Sequence, residues 1–228
     1  MFSLTVYDTN NVSTTSGFNV LFNNGAILYP TVSLPTKFFG LPGHQSVWGA
    51  YSSGRYAIVS PQSLSILPPP ELFPTPGLSP PPALLPPPGP PPLTFIKGSW
   101  WITYLFDQAL WVDPTDQTRN WGVFGNVGIS DGKPNPIHWS AIFGFGGSSP
   151  IPNRKLDTFG IAYYYLGFSD SFQNLAPPFL RDERGLELFY NVAVTPWFHV
   201  TADLQVITPL LQRVHNSLVL GLRSKIDF

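Results

Sequence analysis

From Leu186 to Phe228 the chain switches between apolar and polar side chains at almost every step, and that rhythm leaves few folds open. Phe198, Val200, Ala202, Leu204 and Val206 take one side of an extended segment, and His199, Thr201, Asp203 and Gln205 the other. The segment before it sets Leu186, Leu188, Tyr190, Val192 and Val194 against Glu187 and Asn191. The last one sets Leu218, Leu220, Leu222, Ile226 and Phe228 against Arg223, Lys225 and Asp227, with Ser224 the one polar residue on the apolar side. Successive side chains of a strand point to opposite faces, so this period specifies strands with one dry and one wet face, not helices.

The same reading along the whole chain predicts ten strands, at 2–8, 25–35, 46–57, 98–112, 121–130, 137–147, 157–168, 186–195, 197–207 and 217–228. Their lengths suit membrane crossing, which takes about 9–11 residues of tilted strand. Fourteen of the 27 prolines fall in Pro68–Pro92, a stretch without backbone donors that favours polyproline II and cannot be a central strand or helix. A stiff extended loop is the expectation there. A docking ligand for aromatic-grooved modules is the other reading, but no basic residue flanks its PxxP cores.

Composition narrows the function. Charged residues make up 11% of the chain, against roughly 25% in an ordinary soluble domain, while aromatics reach 15%. A net charge of −1 supplies no basic stripe for phosphates, so nucleic acid is not an expected partner. With no Cys there is no disulfide scaffold, thiol nucleophile or Cys-type zinc site. The four His show no HExxH or other metal-ligand spacing, and neither a GxSxG elbow nor a P-loop occurs, so no enzyme, metal or cofactor is expected. Gly144–Gly147 lies inside a strand candidate, and Asp182 and Glu183, being adjacent, point apart if extended. No apolar run approaches the ~18 residues of a membrane helix, and no signal peptide is visible at Met1.

An all-β chain of this kind is either a soluble sandwich or a membrane barrel. Outer-membrane barrels join their strands by short periplasmic turns and longer outer loops. Counting back from Phe228, the links 8–24, 58–97, 131–136, 169–185 and 208–216 fall outside. The links 36–45, 113–120, 148–156 and Thr195-Pro196 fall inside. The three longest, 58–97, 8–24 and 169–185, share one side, as a barrel requires. Trp100, Tyr104, Trp111, Trp121, Trp139 and Trp197 sit at or near strand ends, where amphipathic rings meet lipid headgroups.

Several blocks resemble the carbohydrate-selective porins of the OprB type from Gram-negative outer membranes. Gly185–Gln205, GLELFYNVAVTPWFHVTADLQ, with Val219–Phe228, VLGLRSKIDF, is similar to that family's last three strands. Trp121–Pro136, Asp157–Asp170, Ser16–Gly25 and Leu34–Gln45 agree in the same order. The resemblance implies a transmembrane antiparallel β-barrel of sixteen strands, of which this chain supplies about ten as a single domain, with 68–92 a loop insertion. It looks like the carboxyl-terminal part of such a porin, the export signal and roughly six strands lying outside it. It implies localisation in the outer membrane, contact with its lipid, and passive passage of sugars, with homo-oligomeric assembly left open. The soluble rival is an all-β carbohydrate-binding module; a non-conducting porin remnant is the other alternative.

A porin lumen needs side chains that exchange hydrogen bonds with a passing solute and hold it only weakly. Alternation predicts Arg55, Asp107, Asn126 and His138 facing inward, with Trp101 and Trp111 on the parity of Asp107. The last three strands add Glu187, Asn191, His199, Asp203, Gln205 and Arg223, with Lys225 and Asp227 near the rim. Their mixed signs suit a neutral polyol. A solvated or salt-bridged wall residue is the plainer reading of each.

Overall fold

A computed structural model describes residues 1–9, 20–60, 93–175 and 179–227. The strands are β1 (Phe2–Asp8), β2 (Ala26–Phe38), β3 (Leu41–Ala57), β4 (Phe95–Val112) and β5 (Asn120–Ser130). They continue as β6 (Ile137–Ser148), β7 (Thr158–Phe168), β8 (Glu183–Thr195), β9 (Phe198–Thr208) and β10 (Ser217–Ile226). One turn of helix, α1 (Asp170–Gln173), stands between β7 and β8. Every strand pairs antiparallel with its neighbours in sequence, so the sheet runs in order from β1 to β10. Among the described residues it is open: β1 pairs only with β2, and β10 only with β9.

All ten expected strands are present. The largest difference lies at 36–45, expected as a link. β2 and β3 instead run through Pro35 and Pro42 to a two-residue turn, Phe39-Gly40, with both residues at positive φ, 57° and 78°. Two residues of that hand fit the twist of a hairpin. The Pro68–Pro92 tract and Phe228 lie outside the described residues.

Register keeps the two faces separate across the sheet. One row passes from Leu34 through Gln45, Phe106, Gly125, Phe143, Tyr163, Leu186 and Val206 to Leu218. The neighbouring row on the opposite face passes from Pro35 through His44, Asp107, Phe124, Gly144, Ala162, Glu187 and Gln205 to Val219. The apolar rows are exposed rather than packed: Leu220 and Leu222 are each 78% accessible, Leu188 48% and Phe143 52%. Ala109 is the one buried hydrophobic residue among those described. A sandwich would converge its apolar faces into a core; among the described residues this layer has no second sheet to meet.

The strand ends that bound the three longest links, after β1, β3 and β7, lie at one end of the sheet, as expected; the two-residue turns Phe39-Gly40 and Pro196-Trp197 lie at the other, with 113–119 and 149–157.

Candidate functional site

The polar face carries two regions that differ in what their hydrogen-bonding groups are already doing. On β8–β10 they satisfy one another. Arg223 lies 3.3 Å from Asp203 and 3.9 Å from Glu187, and Lys225 lies 2.7 Å from Asp227. Asn191 donates to Thr201 at 2.7 Å and its amide oxygen meets His199 Nδ1 at 3.2 Å, while His199 Nε2 is 3.9 Å from Asp227. A groove of about 640 Å³ runs past Glu187, Asn191, His199 and Arg223. Gln205 shares their face, opposite Glu187. These are wall ion pairs, facing water and carrying both signs.

On β2–β6 the polar face is built differently. Trp48 and Trp101 meet edge to face at 4.9 Å, and Tyr29 adds rings at 5.6 Å from Trp48 and 5.7 Å from Trp101. Tyr7 extends the cluster at 6.4 Å from Tyr29. Next to it, one row reads Trp48, Thr103, Gly128, Ser140. With no side chain at Gly128 a notch opens, where an added Cβ would lie 2.9 Å from Thr103 Oγ1 and 3.1 Å from Ser140 Oγ. The cavity, about 250 Å³, is bounded also by Trp101, Asn135 and His138. Asn135 is fixed there, its amide donating to Ser99 at 3.0 Å and to Asp131 at 2.9 Å.

Of the residues expected inward, Trp101, Asn126 and His138 are brought to this region, and Asp107 stands closer to the short turns, 3.2 Å from His44. Trp111 is a correction. β4 bulges between Ala109 and Trp111, and the extra residue reverses the parity. Trp111 therefore lies opposite Trp121 on the apolar face, rings stacked at 6.0 Å. Arg55 lies beyond another bulge, between Ser52 and Arg55, with its guanidinium 5.5 Å from the Phe95 ring centroid, so alternation counted from the strand centre no longer places it. Sequence reasoning missed Trp48, Tyr29 and Tyr7. The signal was available, since Trp48 shares alternation with Ser46 and Ser52, but its facing Trp101 depended on the β3–β4 register.

The remaining Trp residues of the strands are outward. Trp100, Trp121 and Trp139 pair with apolar-face residues, and Trp139 stacks on Tyr165 at 4.6 Å.

Both ends of the sheet are tied by acids, buried at the short-turn end and half-buried at the other. In the 149–157 turn, Asp157 accepts from Arg154 at 2.6 Å, Tyr190 at 2.9 Å and the Ala193 amide at 2.9 Å. Burial pushes its carboxyl up, but the Ala193, Arg154 and Tyr190 donors outweigh that and hold it below the usual carboxylate range. In the 113–119 turn, Thr115 donates to Asp113 from its amide and its hydroxyl, lowering that carboxyl too. Arg119 pairs with Asp113 and reaches the carbonyls of Ser149 and Lys155, joining two turns. At the other end Asp182 takes Tyr165, Phe168 and Gln173 while Glu183 takes Tyr164 and Leu210. They point apart, as expected, and anchor loops. Among the described residues, no group of three or more His, Asp or Glu could hold a metal ion.

The family model for the carbohydrate-selective porin, OprB family, matches residues 2–228. A solved structure titled "High pH structure of Pseudomonas putida OprB" has the same fold, with a TM-score of 0.74 at 20% identity. That match covers 100% of this chain and 56% of the other, so the chain spans a little over half the length of this solved relative. A search of the curated proteins finds no match.

Proposed function

The chain belongs to the carbohydrate-selective porin, OprB family, and we propose that it forms the wall of an outer-membrane pore through which neutral sugars diffuse passively. The observation that carries this reading is the register: apolar and polar rows stay on opposite faces across the sheet, with no buried core among the described residues. Lipid covers the apolar rows. The eight steps from Leu218 to Ile226 extend about 27 Å along the strand, enough when tilted to approach the ~25 Å apolar band of such barrels. The short turns face the periplasm and the long links the outside.

Inside, paired charges of both signs give no strong field for either cations or anions, and aromatic rings offer faces to the C–H surfaces of a sugar. The pore is complete once β1 and β10 are paired, with each other or with further strands, because unsatisfied backbone groups in lipid cost several kcal/mol each. Passage needs no catalytic group.

Liposome swelling tests the reading. Proteoliposomes in which the strands are protected from protease should swell faster in neutral monosaccharides than protein-free vesicles do. Inserted protein with no gain over protein-free vesicles leaves a non-conducting wall and ends the proposal.

A further inference from the structure

We propose that the notch over Gly128 is a docking site for one neutral pyranose ring, an inference that rests on the sugar-porin reading. Three features converge there. The first is the aromatic wall: Trp101 borders the cavity, and Trp48, beyond Thr103 in the row of Gly128, meets Trp101 edge to face behind it. The axial C–H face of a pyranose can lie on such a ring and leave its equatorial hydroxyls free at the edge.

The second is unused hydrogen-bonding capacity. The Thr103, Ser140 and His138 side chains make no hydrogen bond among the described residues, and neither does Asn126 in the adjoining row, opposite Leu105. On β8–β10 the corresponding groups are spent on one another. Hydroxyl and imidazole groups both donate and accept, as sugar hydroxyls do. The third is size and charge. At about 250 Å³ the cavity holds a single ring rather than a chain, and no Lys, Arg, Asp or Glu lines it. An anionic sugar would find no counter-charge in the lining.

The site is shallow and open on the polar face, so exchange should be fast and affinity low, as passage demands. Gly128 sets the geometry: a Cβ there would crowd both hydroxyls, so any side chain displaces Thr103 Oγ1 and presses on Ser140 Oγ. Nothing in the hydrophobic alternation marks this, because glycine reads as a weak strand residue until its cross-strand partners are known.

The test is saturation-transfer NMR on the full chain in detergent micelles, with methyl α-D-glucopyranoside as probe. Two variants are compared: Gly128→Val, which fills the notch, and the double variant Thr103→Ala/Ser140→Ala, which strips its hydroxyls without adding volume. Wild-type protein should transfer to the ring C–H protons, and each variant that retains the wild-type strand content should lose at least fivefold of that signal. The double variant decides the matter if Gly128→Val does not fold. Transfer that survives in the folded variants, or is absent from folded wild type, overturns the proposal. Swelling assays on the same preparations separate the two readings. Sugar permeability with undiminished transfer in the variants removes the notch alone, whereas absent permeability in wild type removes the pore.

Discussion

Asp157 shows how one residue can fix a turn against a neighbouring strand. It is 1% exposed, yet three donors from Arg154, Tyr190 and Ala193 meet its two oxygens. Arg154 is held above its usual pKa by the same contact, while the carboxyl is held below its own. A carboxyl depressed by folding adds stability above its unfolded value of about 3.9, and that contribution is lost as pH falls through the lower, folded value. Asp157→Asn should therefore cost about 1–3 kcal/mol at neutral pH, the range for a buried partner lost. It should also flatten the acid limb of the stability profile below about pH 4. Denaturant unfolding across pH checks both; an unchanged acid limb would remove Asp157 from that role. Trp111 teaches a different lesson at the same scale: expected inward on the parity of Asp107, it stands on the apolar face, because one inserted residue at Leu110 reverses everything after it.

At the scale of elements, the hairpin β2–β3 departs most from what sequence suggested. The segment 36–45 was expected as a link, but Pro42 occupies a ladder position opposite Lys37, as Pro35 does opposite His44, and the register continues through both. The turn that ends the hairpin places Phe39 at φ 57°, where a residue with a Cβ is disfavoured by roughly 1–2 kcal/mol. Its side chain is 96% exposed, so little packing offsets the strain. Phe39→Gly should stabilise the refolded barrel by up to about 1 kcal/mol, since glycine takes positive φ without that penalty but loses more chain entropy. Equilibrium unfolding in lipid vesicles measures it, and a destabilised variant would show that the ring itself holds the turn. The long-loop end is organised in turn by side chains: Ser169 caps α1, and Arg181 reaches the carbonyls of Pro209 and Val214 to dock one loop on another.

For the whole molecule, the decisive property is that the described residues form no interior of the usual kind. Leu204 sits in mid-sheet between Leu188 and Leu220, all three on the exposed apolar face. If that face meets lipid, Leu204→Arg should cost about 2–4 kcal/mol, the range at the bilayer midplane. Gln205→Arg, one residue on and facing water, should change stability little. Comparable small effects at both positions in lipid-refolded protein would deny the membrane its place against that face. The same topology fixes which links share an end: with strictly sequential antiparallel pairing, odd and even links must alternate ends.

Strand number and the wet and dry faces of β8–β10 were written in the sequence, because a period of two is a local property and uninterrupted alternation survives any sequential antiparallel pairing. The clustering of Glu187, Asn191, His199, Asp203 and Arg223 on one face followed from that alone. Tertiary structure alone could decide whatever rests on which residue stands across from which. The β3–β4 register sets Trp48 beside Trp101, two bulges redirect Trp111 and release Arg55 from the count, and the rows through β4, β5 and β6 turn Gly128 from a weak strand residue into a notch between two hydroxyls. Alternation tells each side chain which way to point; cross-strand register tells it what it will find there.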